Sequence, residues 1–111
     1  MCRCYGKIIE NKRETAAMYK KFFAELGIPF VTETENSRAN YWLNAIFLKD
    51  RAEREEFLEF TNSNGVQPRP IWTLMYKMPP YEHCERTEMP NAEWLEDHLV
   101  NIASSVRTCT R

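Results

Sequence analysis

The stretch Tyr41–Tyr81, YWLNAIFLKDRAEREEFLEFTNSNGVQPRPIWTLMYKMPPY, decides how the rest of the chain is read. Over residues 40–48 both alternating sets, Tyr41-Leu43-Ala45-Phe47 and Trp42-Asn44-Ile46-Leu48, are mainly apolar. That pattern predicts a central strand covered on both faces, with Asn44 as a buried amide satisfied by neighbouring backbone. Asp50 with Glu53 three positions on is a capping-box arrangement, so a helix opens there and runs to about Asn62. Phe57, Leu58 and Thr61 form its inward stripe, and Arg51, Arg54, Glu55 and Glu59 its charged outer face. Asn64-Gly65 ends it, and residues 66–71 return as a strand. Strand, helix, strand in this span predicts an α+β (α/β-like) small domain: a three-stranded sheet covered by helices.

Within that stretch, residues 64–81 combine backbone stiffness, a cation and aromatic surface. Pro68 and Pro70 fix their own φ and push Gln67 and Arg69 away from the helical region, so Arg69 rides on a pre-stiffened extended segment. Its planar guanidinium suits carboxylate or phosphate, and Trp72, Tyr76 and Tyr81 follow closely with flat stacking surface. The plainer reading is an edge strand in which Arg69 is solvated and Trp72 anchors the core. Spacing alone leaves both open.

Working outward, Ile9, Ala16, Tyr19, Phe23 and Leu26 recur on one helical face from Lys7 to Leu26, and Gly27 with Pro29 beyond closes that helix. Its start has no Ser, Thr, Asp or Asn cap, so it reads as a helix entered partway along. Residues 28–32 are a short strand candidate and residues 33–39 a polar loop. Residues 72–77 suit a short helical turn, stopped by Pro79-Pro80. Pro90-Asn91 opens a last helix whose shared face is Trp94, Leu95, His98, Leu99 and Ile102, with His98 at the core edge. Residues 1–6 and 106–111 read as tails flanking one domain over 7–105.

With 15 basic against 16 acidic side chains among 111 residues, no basic field for nucleic acid or an anionic membrane exists. No apolar run reaches membrane-spanning length and no secretion signal opens the chain, so a cytoplasmic protein with reduced thiols is expected. Cys2 and Cys4 as C-x-C, with Cys84 and His83, lack the spacing of a zinc knuckle, and no metal site is expected.

The run 41–81, with NAEWLEDHLVNIASS after it, resembles the C-terminal part of the DegT/DnrJ/EryC1/StrS sugar aminotransferases. Gly65, Val66, Arg69, Pro70, Ile71, Trp72, Thr73, Leu74 and Met75 match an N-G-V-x-x-R-P-I-W-T-L-M segment of the branch that aminates nucleotide-linked keto sugars for bacterial surface glycans. The resemblance covers residues 7–105. It implies the small C-terminal domain of a fold-type I enzyme, whose lead-in helix continues from a preceding large domain, and this accounts for the uncapped start at Lys7. It implies pyridoxal phosphate in a full-length parent, bound through a large-domain lysine, with no catalytic residue and no bound cofactor expected in these 111 residues. None of the six lysines, 7, 12, 20, 21, 49 and 77, reads as buried enough for imine chemistry.

The substrate-side residues implied are Arg69 for an anionic group, with Trp72 and Tyr76 shaping the sugar or nucleotide pocket. Tyr76 departs from the His that commonly follows Thr-Leu-Met in this branch. Expected partners are the large cofactor-binding domain, the nucleotide-sugar substrate and a second copy of the chain, since exposed apolar faces seek cover. The competing class is a stand-alone, non-catalytic module that binds a partner or ligand through the same aromatic cleft.

Overall fold

The computed structural model describes residues 4–107. In chain order these form α1 (Tyr5–Glu25), β1 (Asn44–Phe47), α2 (Arg51–Ser63), β2 (Arg69–Pro70), a 3-10 turn (Met75–Lys77), α3 (Pro90–His98) and β3 (Leu99–Ile102). The sheet order is β1-β3-β2, and β3 pairs antiparallel with both neighbours. The fold is a small α+β domain with a three-stranded sheet. β1 and β2, joined through α2, run the same way on either side of β3, which arrives last in the chain and fills the gap between them.

Both long helices end as their sequence dictates. At the end of α1, Ile28 N–H donates to Phe23 C=O at 2.9 Å and Gly27 N–H to Ala24 C=O at 3.2 Å, with Gly27 at φ +71°. After α2 the same pair of bonds runs from Val66 to Thr61 (2.9 Å) and from Gly65 to Asn62 (3.3 Å), with Gly65 at φ +81°. These are Schellman caps, which need a residue tolerant of the left-handed region. At the start of α2, Asp50 accepts from Glu53 N–H at 2.8 Å, while the Glu53 carboxylate reaches back to accept Lys49 N–H at 3.0 Å, one residue beyond the reciprocal partner, Asp50 N–H. The start of α1 has no side-chain cap, and it lies at Tyr5 rather than Lys7. Residues 1–3 and 108–111, including Cys2 and Cys109, lie outside the described residues.

Ile46 and Val100 pack at the centre with no exposure, surrounded by Phe23, Leu48, Leu58 and Ile102. Tyr19, Phe23 and Phe30 line up against them, with ring centroids 5.9–6.5 Å apart. Three expectations are corrected. Residues 40–48 do not form the central strand: only 44–47 are β, and they lie beside the true centre, β3, because Tyr41 sits at φ +49° and breaks the extended run. Residues 28–32 contribute one bridge, Phe30 to Ile46, since Pro29 has no N–H to extend the ladder. The last helix stops at His98, and Leu99 to Ile102 turn into strand, with Val100 and Ile102 buried between the other two strands.

Two side chains read as surface are tied down. Arg54 is buried at 4% exposure, its guanidinium donating to the Glu96 carbonyl and pairing with Glu55, because α3 packs across that side of α2. Arg107, in the expected tail, is held by backbone as well: its N–H donates to Asn11 Oδ1 at 2.8 Å, its C=O accepts from Asn11 Nδ2 at 3.1 Å, and its side-chain Nε donates to Thr15 Oγ1 at 2.8 Å. A cavity at the centre is costly, so Ile46→Ala lowers the unfolding free energy by about 2–5 kcal/mol, read as a fall in urea midpoint.

The loop 33–41 is fastened to α1 by a bidentate pair. Arg13 donates to both Glu33 oxygens at 2.9 and 3.1 Å, and Glu33 Oε2 also accepts Ala39 N–H at 2.7 Å. The Arg13 bonds first, then the Ala39 N–H, hold the Glu33 carboxyl down at about 2 against an ordinary 4.5. A depressed carboxyl stabilises the fold above its ordinary value and loses that contribution as pH falls toward the folded one. The thermal midpoint therefore drops as pH goes from about 4.5 to 2, and Glu33→Gln flattens that part of the curve; an unchanged profile refutes the latch.

Candidate functional site

Where β2 and the end of β3 meet, the surface opens into a cleft of about 830 Å³. One wall is β2 and its continuation, Arg69 to Thr73; another is Asn101 to Ser105; Trp42 and Leu43 close a third side and Lys12 reaches in from α1. Pro68 is buried and Pro70 pairs with Val100, so Arg69 is held between two fixed residues while its own side chain stays exposed. Arg69 takes part in none of the ion pairs among the described residues, and no carboxylate is among the residues lining the cleft. Trp72 is 78% exposed, so it does not anchor the core; its indole stands on the cleft.

Trp42, which the sequence reading gave to a strand, is delivered to the same cleft by backbone strain. Tyr41 is a bulky residue in the left-handed region, an uncommon conformation that persists only when surrounding contacts impose it. Those contacts are the Arg13 guanidinium 5.5 Å from the Tyr41 ring centroid and the Asn40 side chain, which accepts Trp42 N–H at 3.0 Å. Lys12 is likewise placed: its Nζ donates to Ser104 C=O at 2.6 Å. Lys12 falls among the lysines expected to be exposed, yet it shares a helical face with Ala16 and Tyr19 at i+4 and i+7, and that spacing is the sequence signal for its placement. Tyr19 Oη, on the same face, donates to Ala103 C=O at 2.8 Å. Buried Asn44 donates to Ser104 Oγ at 3.2 Å, so its partner is a side chain of the cleft wall rather than backbone.

The structure does not bring Tyr76 to this cleft. Tyr76 lies in a separate hollow of about 230 Å³ with Tyr81, Cys84 and Met89. Its hydroxyl donates to Glu93, which raises the phenol pKa, and the Arg86 guanidinium sits 3.8 Å from its ring centroid. The 3-10 turn between Trp72 and Tyr81 separates the two aromatics, and one buried carboxylate fixes that turn. Glu96, 5% exposed, accepts Leu74 N–H at 2.8 Å and pairs with Lys77. Burial works to raise the Glu96 pKa, but the Lys77 ammonium and the Leu74 N–H outweigh it and hold it below the ordinary value.

A model of the DegT/DnrJ/EryC1/StrS aminotransferase family matches residues 5–111. The chain belongs to that family. It is 29% identical over 106 residues to the GDP-perosamine synthase of Vibrio cholerae, covering 93% of this chain and 29% of that protein. It is 29% identical over 96 residues to the GDP-perosamine synthase of Escherichia coli O157:H7, covering 86% of this chain and 26% of that one. The chain thus spans less than a third of the curated relatives it matches.

The family implies pyridoxal phosphate, and the cleft residues alone do not fit the whole cofactor. Among the described residues no carboxylate lines the cleft to face a pyridine nitrogen, and the one lysine lining it, Lys12, is held as a donor to backbone carbonyls. No helix among the described residues is long and apolar enough to cross a membrane.

Glu96→Ala removes an acceptor from the half-buried Leu74 N–H and frees Lys77, whose side chain is 41% exposed and recovers solvation. It costs about 1–3 kcal/mol and speeds hydrogen exchange at Leu74. A Leu74 amide that keeps its protection shows that the turn is held by something else.

Proposed function

We propose that these residues form the substrate-side C-terminal domain of a pyridoxal-phosphate-dependent aminotransferase that acts on a nucleotide-linked keto sugar in the cytoplasm, in cell-surface glycan synthesis. The observation that carries this is the pairing of Arg69 and Trp72, both from the family's R-P-I-W segment, on one open cleft without a carboxylate. The names of the two relatives support the substrate class, and Arg69, Trp72 and Trp42 supply what such a substrate needs. A guanidinium takes the anionic part, and two exposed indoles cover flat sugar or base faces and keep water away. Tyr76 acts from the neighbouring hollow by bracing the 72–81 segment rather than by touching the same ligand.

In this reading the imine-forming lysine and the cofactor cradle come from a large domain outside the 111 residues. The cofactor supplies the electron sink for moving an amino group. Exposed apolar side chains are consistent with this: Met18, Phe22 and Leu26, spaced four apart along α1 and its end, are each more than half exposed, a stripe that suits a face a second domain covers.

The test uses the chain alone and joined behind the large domain of the Vibrio cholerae relative. Alone, with pyridoxal phosphate, glutamate and a nucleotide-linked keto sugar, it transfers no amine; joined, it does. In the joined enzyme Arg69→Ala lowers kcat/KM by about tenfold or more, because a charge-assisted hydrogen bond contributes about 1.5–3 kcal/mol. The same change shifts the stability of the isolated chain by no more than about 0.5 kcal/mol. Turnover by the chain alone, or a large stability loss with unchanged turnover, refutes the assignment.

A further inference from the structure

Of the two cations lining the cleft, the family segment accounts only for Arg69; Lys12 comes from α1 and has no role in that reading. Its ammonium donates to Ser104 C=O at 2.6 Å and toward Trp42 C=O at 3.4 Å. An ammonium carries three N–H donors, so one remains for a ligand while the other two fix the group in place. Arg69 is stationed opposite Asn101 and Lys12 at Ser104, three residues further along the same chain. One tethered ammonium and one exposed guanidinium on a stiffened strand, with no carboxylate lining the cleft among the described residues, suit a ligand that carries negative charge at two neighbouring points.

We propose that Lys12 and Arg69 form a two-cation clamp for the diphosphate of a nucleotide-linked substrate, one cation to each phosphate. This rests on the proposed function and deepens it by naming the second cation and the group it holds. Trp42, whose carbonyl Lys12 also engages, and Trp72 border the same space and offer indole faces to base or sugar. The Lys12 bonds link the clamp to both walls: losing the ammonium removes a charge and also loosens the Trp42 and Ser104 carbonyls. The clamp is open to solvent, so its hold weakens with salt.

The test is calorimetric binding to the 111-residue chain, at low and high salt, of three probes: GDP, inorganic pyrophosphate and pyridoxamine 5′-phosphate. GDP and pyrophosphate bind, less tightly at high salt. Lys12→Gln weakens both about tenfold or more, and Lys12→Arg, which keeps the charge, recovers most of the loss. Pyridoxamine 5′-phosphate, with one phosphate, changes by less than about threefold on Lys12→Gln. A urea midpoint for each variant separates loss of charge from loss of fold, and if Lys12→Gln unfolds, Lys12→Arg against Arg69→Gln carries the comparison. The proposal is overturned if neither diphosphate binds the unaltered chain, if Lys12→Gln binds GDP as tightly, or if pyridoxamine 5′-phosphate weakens as much as GDP. None of these results touches the aminotransferase reading, which turnover of the joined enzyme decides without reference to Lys12.

Discussion

Leu99 to Ile102 make the pairing on which the rest of the structure depends. This four-residue strand is hydrogen-bonded on both edges, to β1 through the 44–47 register and to β2 at Arg69 and Pro70. Without it, β1 and β2 would be two strand pieces joined by α2 with nothing between them. With it, Val100 and Ile46 meet at the centre, and Arg69 is set opposite Asn101 at a fixed distance from the chain that follows. That following segment, residues 103–107, is strapped to α1 by Tyr19, Lys12 and Asn11. The cleft is therefore a by-product of sheet order, built where the central strand runs out and its continuation turns under the first helix.

Charge is sorted around that cleft in a way the near-neutral total conceals. Glu33 is occupied with Arg13 and the Ala39 N–H, Glu96 with Leu74 and Lys77, and Glu93 with the Tyr76 hydroxyl. Each of these carboxylates fixes a loop and is held there by charge-assisted bonds. Lys12 and Arg69 are left facing a space with no acid in its lining. A net charge of −1 excludes a broad basic field, but it does not bear on a local pair of cations a few residues wide.

The same loops explain why aromatic residues close in sequence serve different places. Trp72 and Tyr76 are four apart, yet the turn fixed by Glu96 sends one to the cleft and the other to the hollow beside Arg86. Trp42 comes from thirty residues earlier and joins Trp72, because the Arg13–Glu33 latch supports Tyr41 in a conformation a bulky residue does not adopt unaided. Membership of the aminotransferase family gives the domain its context, while these contacts give it its particular shape.

What the sequence by itself determined is local in origin. Gly27 and Gly65 end their helices because only a residue tolerant of positive φ closes the two Schellman caps, and Asp50 with Glu53 starts α2 because two short side chains reach two free amides. Pro68 and Pro70 stiffen the approach to Arg69 by their own rings. The family segment was legible for the same reason, being a contiguous run. Sheet order, the burial of Arg54, the parting of Tyr76 from Trp72 and the recruitment of Lys12 were decided by tertiary structure. Each depends on a partner distant in sequence: Leu99 to Ile102 fit a helical face as well as a strand until β1 and β2 claimed both edges, and Lys12 is a surface lysine until Ser104, 92 residues away, offers it a carbonyl.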